Sequence, residues 1–303
     1  MTKPLHGIVP ILPSIFDAEG AVDEAGFARV VRYVVAAGAH GVAFPALASE
    51  FYALSDAERL RLTDIVVHEV GGAVPVVGTA TAPSPQAAVA LARGVTALGV
   101  DALMLMPPYV VRDGAEANIA LYAAIADAVD VPLVAQNAPP PLGSGHGIPF
   151  VRQLIERVPE VRYVKEENTP GGQRITQLLT DPPAALAGVF GGAGGRYLMD
   201  ELARGAIGAM PACELTEIHV RIYDAHRAGD TATARALYDR TLPLLTFQTV
   251  FRMDMTKEVL RRRGLIESAH VRVGRVALDA GDHAELTQLL ERAADLLLDV
   301  TDT

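Results

Sequence analysis

Pro132-Leu133-Val134-Ala135-Gln136 and Val161-Arg162-Tyr163-Val164-Lys165 are two short, largely apolar runs with one helix-length stretch, 149–157, between them. Continuously apolar runs are what parallel strands look like when both faces of their sheet are covered. Parallel neighbours need a crossover, and a helix supplies it. The pair therefore reads as a βαβ unit with Gln136 and Lys165 at its two strand ends. Working outward, the same alternation fills most of the chain. Upstream come runs at 7–12, 41–44, 74–78 and 102–106, separated by helical stretches 24–37, 56–70, 85–98 and 116–129. Downstream come a helix at 171–179, a run at 187–190, a helix at 196–204 and a last run at 206–210. Asp23 and Ser55 stand as N-caps, Glu58 completes a capping box with Ser55, and Gly38 stops the first helix. Eight such units predict an α/β fold, a (β/α)8 TIM barrel over residues 1–215. Residues 216–303 read as a C-terminal helical extension packed on the barrel in one structural unit, with helices at 217–227, 231–263 and 282–300. Pro243 is expected to break or kink the middle one. A doubly wound sheet would want a glycine-rich phosphate loop after the first strand, and Pro13-Ser14-Ile15-Phe16 is not one.

Bulk properties narrow the function. The chain has 303 residues, half of them apolar, and a formal charge of −10. An acidic chain without basic patches argues against nucleic acid or an anionic membrane as partner. Cys213 is the single cysteine, so no intrachain disulfide can form. The first residues lack the charged-then-apolar build of a secretory signal, and no stretch is long and apolar enough to span a bilayer. The expectation is a soluble cytoplasmic protein.

Lysine usage is the sharpest compositional signal. Only Lys3, Lys165 and Lys257 occur, and arginine supplies the rest of the positive charge. Arginine keeps its proton in a protein, whereas a lysine can be desolvated until its amine is a nucleophile. Lys165 ends the sixth strand, on the side of a barrel where active sites lie. The alternative is a surface lysine in a loop. At the other strand ends lie Ser49 and Glu50, Thr79, Tyr109, Gln136 and Asn137, and Glu167. The eight histidines are scattered, so no metal site is expected, and no Ser–His pairing suggests itself. The converging set suits imine chemistry on a small polar carbonyl compound. If the strand pleat continues, Glu167 shares the Lys165 face and Glu166 points away, which makes Glu167 the acid/base candidate. Glu50 reads more readily as a brace for the following helix, Tyr109 as packing, and Cys213 as a small buried apolar residue.

Several of these stretches together resemble the dihydrodipicolinate synthase/N-acetylneuraminate lyase family of Schiff-base lyases. They are Ser49-Glu50-Phe51-Tyr52-Ala53-Leu54-Ser55, Gly78-Thr79-Ala80, Pro107-Pro108-Tyr109, Tyr163-Val164-Lys165-Glu166 and Gly205-Ala206-Ile207-Gly208. The resemblance covers nearly the whole chain. It implies a homotetramer, a small 2-oxo acid substrate, and a covalent imine on Lys165 in place of any cofactor. It also implies substrate contacts at Ala48, Ser49, Tyr109, Gln136, Asn137 and Gly208. Three departures stand out. Ala46-Leu47-Ala48-Ser49-Glu50 replaces the family's Gly-Thr-Thr-Gly-Glu, Gln136 replaces the proton-relay tyrosine, and the synthase arginine after it is missing. They argue against dihydrodipicolinate synthase and sialic-acid lyase activity. Gln136-Asn137-Ala138-Pro139 and Lys165-Glu166-Glu167-Asn168-Thr169-Pro170-Gly171 are more similar to the L-2-keto-3-deoxyarabonate dehydratase branch. The expected reaction is dehydration of a 2-keto-3-deoxy sugar acid. An aldolase or synthase that releases or uses pyruvate is the first alternative, and a non-catalytic barrel that binds a small acid is the second.

Overall fold

A computed structural model describes residues 3–111, 113–141 and 143–300. Its eight strands are β1 (Gly7–Ile8), β2 (Val42–Phe44), β3 (Val76–Thr79), β4 (Ala102–Leu105), β5 (Leu133–Asn137), β6 (Val161–Glu166), β7 (Gly188–Gly191) and β8 (Gly208–Ala209). All neighbouring pairs are parallel, in the order β1-β8-β7-β6-β5-β4-β3-β2. The ring closes between β1 and β2 through His40 N–H to Ile8 O (2.9 Å), Ala43 N–H to Pro10 O (2.9 Å) and Leu12 N–H to Ala43 O (3.1 Å). Pro10, which faces β2 in this alternation, has no N–H to give, and that keeps this seam thin.

Helices alternate with the strands: α1 (Glu24–Ala36), α2 (Asp56–Val70), α3 (Pro85–Ala97), α4 (Ala115–Ala126), α5 (Ile148–Arg157), α6 (Gly171–Leu179), α7 (Leu198–Ala203) and α8 (Thr216–Arg227). The expected caps are in place. Asp23 accepts from Gly26 N–H, and Ser55 and Glu58 exchange bonds across the first turn of α2. Apolar side chains divide by strand parity. Val9, Val77, Met104, Val134, Tyr163 and Phe190 fill the inside of the barrel. Val42, Leu103, Leu133, Val161 and Val164 face the helices.

One irregularity sets the phase of the site. The β5–β6 register runs Leu133↔Val161, then Val134↔Tyr163, so Arg162 is an extra residue left facing solvent. Beyond this bulge Gln136 pairs with Lys165 and Asn137 with Glu166. Gln136 and Lys165 therefore share the inner face.

The extension consists of α9 (Thr231–Arg262) and α10 (Ala280–Ala293), the first packed along α8, which itself lies on β1. Here two expectations are corrected. Helix α9 runs through Pro243 without a break. Pro243 and the residue one turn back, Asp239, are exposed, so water can take the carbonyl that the ring leaves unpaired. The helix instead breaks at Arg252 (φ 45°, ψ −116°). Helix α10 stops well short of Val300. The chain leaves it so that Leu298 N–H can donate to Glu217 and the Leu298 carbonyl can accept from Arg263. No described helix is long and apolar enough to cross a membrane.

Candidate active site

Lys165 sits on the inner face of β6 and is 3% exposed. Its Nζ lies 3.2 Å from Oε1 of Glu167. The other carboxylate oxygen of Glu167 accepts from Gln136 Nε2 at 2.7 Å. Glu167 is thus held between the nucleophile and an amide, with its backbone N–H tied to Asn137 O at 3.2 Å. Gly192 makes the room. A Cβ there would lie 2.6 Å from Glu167 Cγ. Behind that glycine, Glu201 is buried, and burial followed by the negative charge of Glu167 raises its pKa to about 8. His219, packed beneath Gly195, is held neutral by burial, its pKa lowered to about 4.

Lys165 and Glu167 open into a cleft of about 390 Å³ at the C-terminal ends of the strands. Its walls come from the turn after β2, the loops after β5, β7 and β8, and from α9. A larger cleft, about 700 Å³, lies at the opposite end against Lys3, Asp130 and Arg162. It is the larger and shallower of the two but holds no buried lysine–carboxylate pair, so the chemistry belongs to the smaller one.

Several residues proposed from sequence have other occupations. Ala48 lines the cleft. Ser49 does not present its hydroxyl there: Oγ donates to Leu12 O at 2.5 Å and accepts from Ala46 N–H at 2.9 Å. Within that turn the Leu47 and Ala48 N–H groups have no acceptor among the described residues, and both residues border the cleft. Asn137 faces outward. Its amide donates to Glu166 (2.8 Å) and to His146 O (3.0 Å) and accepts from His146 N–H (3.0 Å). Glu166 also faces outward, fully buried, and pairs with Arg174 at 3.0 Å. Tyr109 packs edge-on against Phe51, and the Thr79 hydroxyl donates to Pro45 O. Gly208 lies in β8 so close to Gly7 that a Cβ would meet that backbone at 1.9 Å. The sequence reading missed Arg196, Gln248, Arg252 and Thr256, which also line the cleft. Three of them come from the extension, and nothing in their local pattern marks them as cleft residues. Among the described residues no group of three or more His, Cys, Asp or Glu side chains could hold a metal ion.

The sequence pattern of the dihydrodipicolinate synthetase family matches residues 4–293. The chain belongs to this family. It is a lyase of the dihydrodipicolinate synthetase family, with that family's barrel and C-terminal helices. The chain is 31% identical over 305 residues to the L-2-keto-3-deoxyarabonate dehydratase of Azospirillum brasilense, covering 98% of this chain and 97% of that one. It is 30% identical to a 4-hydroxy-tetrahydrodipicolinate synthase of Methanopyrus kandleri over 79% of this chain and 80% of the relative. Among solved structures, a putative dihydrodipicolinate synthetase of Pseudomonas aeruginosa superposes with a TM-score of 0.88 at 26% identity, over 95% of this chain and 99% of that one.

Proposed function

We propose that Lys165 forms an imine with the ketone of a 2-keto-3-deoxy sugar acid and that the chain dehydrates this acid. The observation that carries the reading is the buried lysine 3.2 Å from a carboxylate that Gln136 steadies from its other side. Lys165 attacks the ketone carbon, and loss of water leaves a protonated imine that draws electrons from C3. Glu167 removes the C3 proton, giving an enamine. The enamine expels the C4 hydroxyl, which leaves as water once protonated, and hydrolysis frees the lysine. Gln136 cannot relay a proton as a phenol could, so Glu167 and water carry the proton traffic. The substrate carboxylate meets the unpartnered Leu47 and Ala48 N–H groups, while Ser49 shapes their turn.

The relative that is a dehydratase along its whole length supports the same reaction, and so does the absence of an arginine in Asn137-Ala138-Pro139-Pro140-Pro141. We further propose a cytoplasmic homotetramer; the apolar tip after β4, where Val110 is 69% and Val111 68% exposed, supports association between copies. Sedimentation should then report a species of four chains. The functional test is product analysis on a panel of 2-keto-3-deoxy sugar acids. A dehydrated oxo acid is expected. Pyruvate as product would move the chain to the aldolases, and imine formation without turnover would make it a binding barrel.

A further inference from the structure

Two arginines of the cleft stand outside the ion pairs that hold its neighbours. Arg196 is half-buried on the turn after β7, and Arg252 is exposed on α9. Among the described residues neither makes an ion pair, whereas Arg174, Arg263 and Arg272 are each matched to a carboxylate. Arg196 and Arg252 also feel one another. Burial lowers the Arg196 pKa and the charge of Arg252 adds to this, while Tyr197, Glu167 and Glu201 pull it the other way. Arg252 lies within electrostatic reach of the Tyr52 phenol, another cleft residue. Two like charges on the wall of one cleft, one of them half-buried and neither in an ion pair, favour an anion that joins them.

The backbone adds an independent observation. Arg252 holds φ 45° and ψ −116° inside a 32-residue helix. A residue with a Cβ is strained there, and neither glycine nor proline is at hand to explain the break. Such strain persists where the surroundings over-determine it, and it gathers at binding sites. The break falls where α9 borders the cleft.

We propose that Arg196 and Arg252 form a distal anion subsite, so that the acid captured by Lys165 carries a second carboxylate at its far end. The substrate class is then a keto-dicarboxylate of the sugar-acid type, not an acid ending in a neutral hydroxymethyl group. The assignment rests on the reading of Lys165 as the group that holds the ketone. One carboxylate meets the Leu47 and Ala48 amides, the ketone meets Lys165, and the far carboxylate meets the guanidiniums, which grip carboxylates through paired N–H donors.

The test compares 2-oxoadipate with 2-oxohexanoate, which differ in a terminal carboxylate against a methyl group. Kd is measured by calorimetry for the native chain, Arg196→Gln and Arg252→Gln. A phosphorylated 2-keto-3-deoxy acid forms a third arm. The native chain is expected to bind 2-oxoadipate at least roughly tenfold more tightly, with the ratio shrinking towards one in either variant and at high salt. Equal Kd values in the native chain, or a ratio unmoved by both substitutions, would overturn the subsite. Tighter binding of the phosphorylated acid would overturn the carboxylate assignment. Borohydride trapping of pyruvate, run in parallel, reports on Lys165 alone. Discrimination without an adduct sinks the imine, and an adduct without discrimination sinks the subsite. Arg252→Gly relieves the left-handed backbone, so it should raise Tm while narrowing the ratio. A lower Tm with the ratio intact would assign Arg252 a structural role instead.

Discussion

The three lysines occupy different surroundings, and the contrast decides what a carbonyl compound can reach. Lys3 donates to the Gly72 carbonyl at the exposed N-terminal end of the barrel. Lys257 is fully buried, bonded to Glu50 at 2.5 Å and to His270 O at 2.7 Å, and burial pushes its amine pKa down. Lys165 alone is both buried and open to the cleft. Its partner Glu167 is expected to matter for proton transfer and not for capture. Glu167→Gln should lower kcat by about 10²–10⁴-fold, the usual worth of a positioned acid or base, while pyruvate still traps on Lys165. Loss of trapping in that variant would instead give Glu167 a role in imine formation. Glu201 supplies a pH signature. Its pKa of about 8 lies above the ordinary 4.5, so the folded chain keeps a proton that the unfolded chain gives up. The corresponding stability is complete below the ordinary value and is lost as pH rises towards and through about 8. Tm should therefore fall more steeply with rising pH over this window in the native chain than in Glu201→Gln. Parallel Tm profiles would contradict the assignment.

At the scale of elements, Glu50 ties the extension to the barrel. It stands in the left-handed region (φ 55°) on the turn after β2, and its carboxylate takes Lys257 of α9 and the Arg272 N–H. Sequence reading expected a brace for the next helix, but Ser55 and Glu58 already cap α2. The brace spans 207 residues to a partner that no local pattern indicates. Removing one member leaves the other charged and buried. Lys257→Met alone should cost about 3–5 kcal/mol in denaturant unfolding, and adding Glu50→Leu should recover much of it. A single variant as stable as the native chain would show that the pair is not needed. Because α9 forms one wall of the cleft, the single variant should also raise KM. The same helix shows why local signals mislead. Pro243 is tolerated because its turn faces water, while the real break, at Arg252, lies in Thr249-Val250-Phe251-Arg252-Met253-Asp254, which contains no breaker.

For the molecule as a whole, the barrel was legible because each strand buried on both faces is a continuous apolar run, and because caps such as Asp23 and Ser55 are local events. Lys165 and Glu167 were legible for a related reason. They share a parity within one strand end, and parity is written in sequence. Contacts between strands were not. The bulge at Arg162 depends on β5 as well as β6, yet it brings Gln136 beside Lys165. Ser49 and Asn137 are polar residues at strand ends, as substrate-binding residues would be, but Leu12, Ala46, Glu166 and His146 use up their hydrogen-bonding groups. Cleft residues on α9 depend on how a helix far along the chain folds back over the barrel mouth. What the whole assembly serves, on this account, is one covalent step at one amine. Mass spectrometry after borohydride reduction with pyruvate tests it most directly. The account predicts a single reduced adduct, located on Lys165 and absent from Lys165→Ala; an unlabelled protein, or an adduct on Lys3 or Lys257, would contradict it.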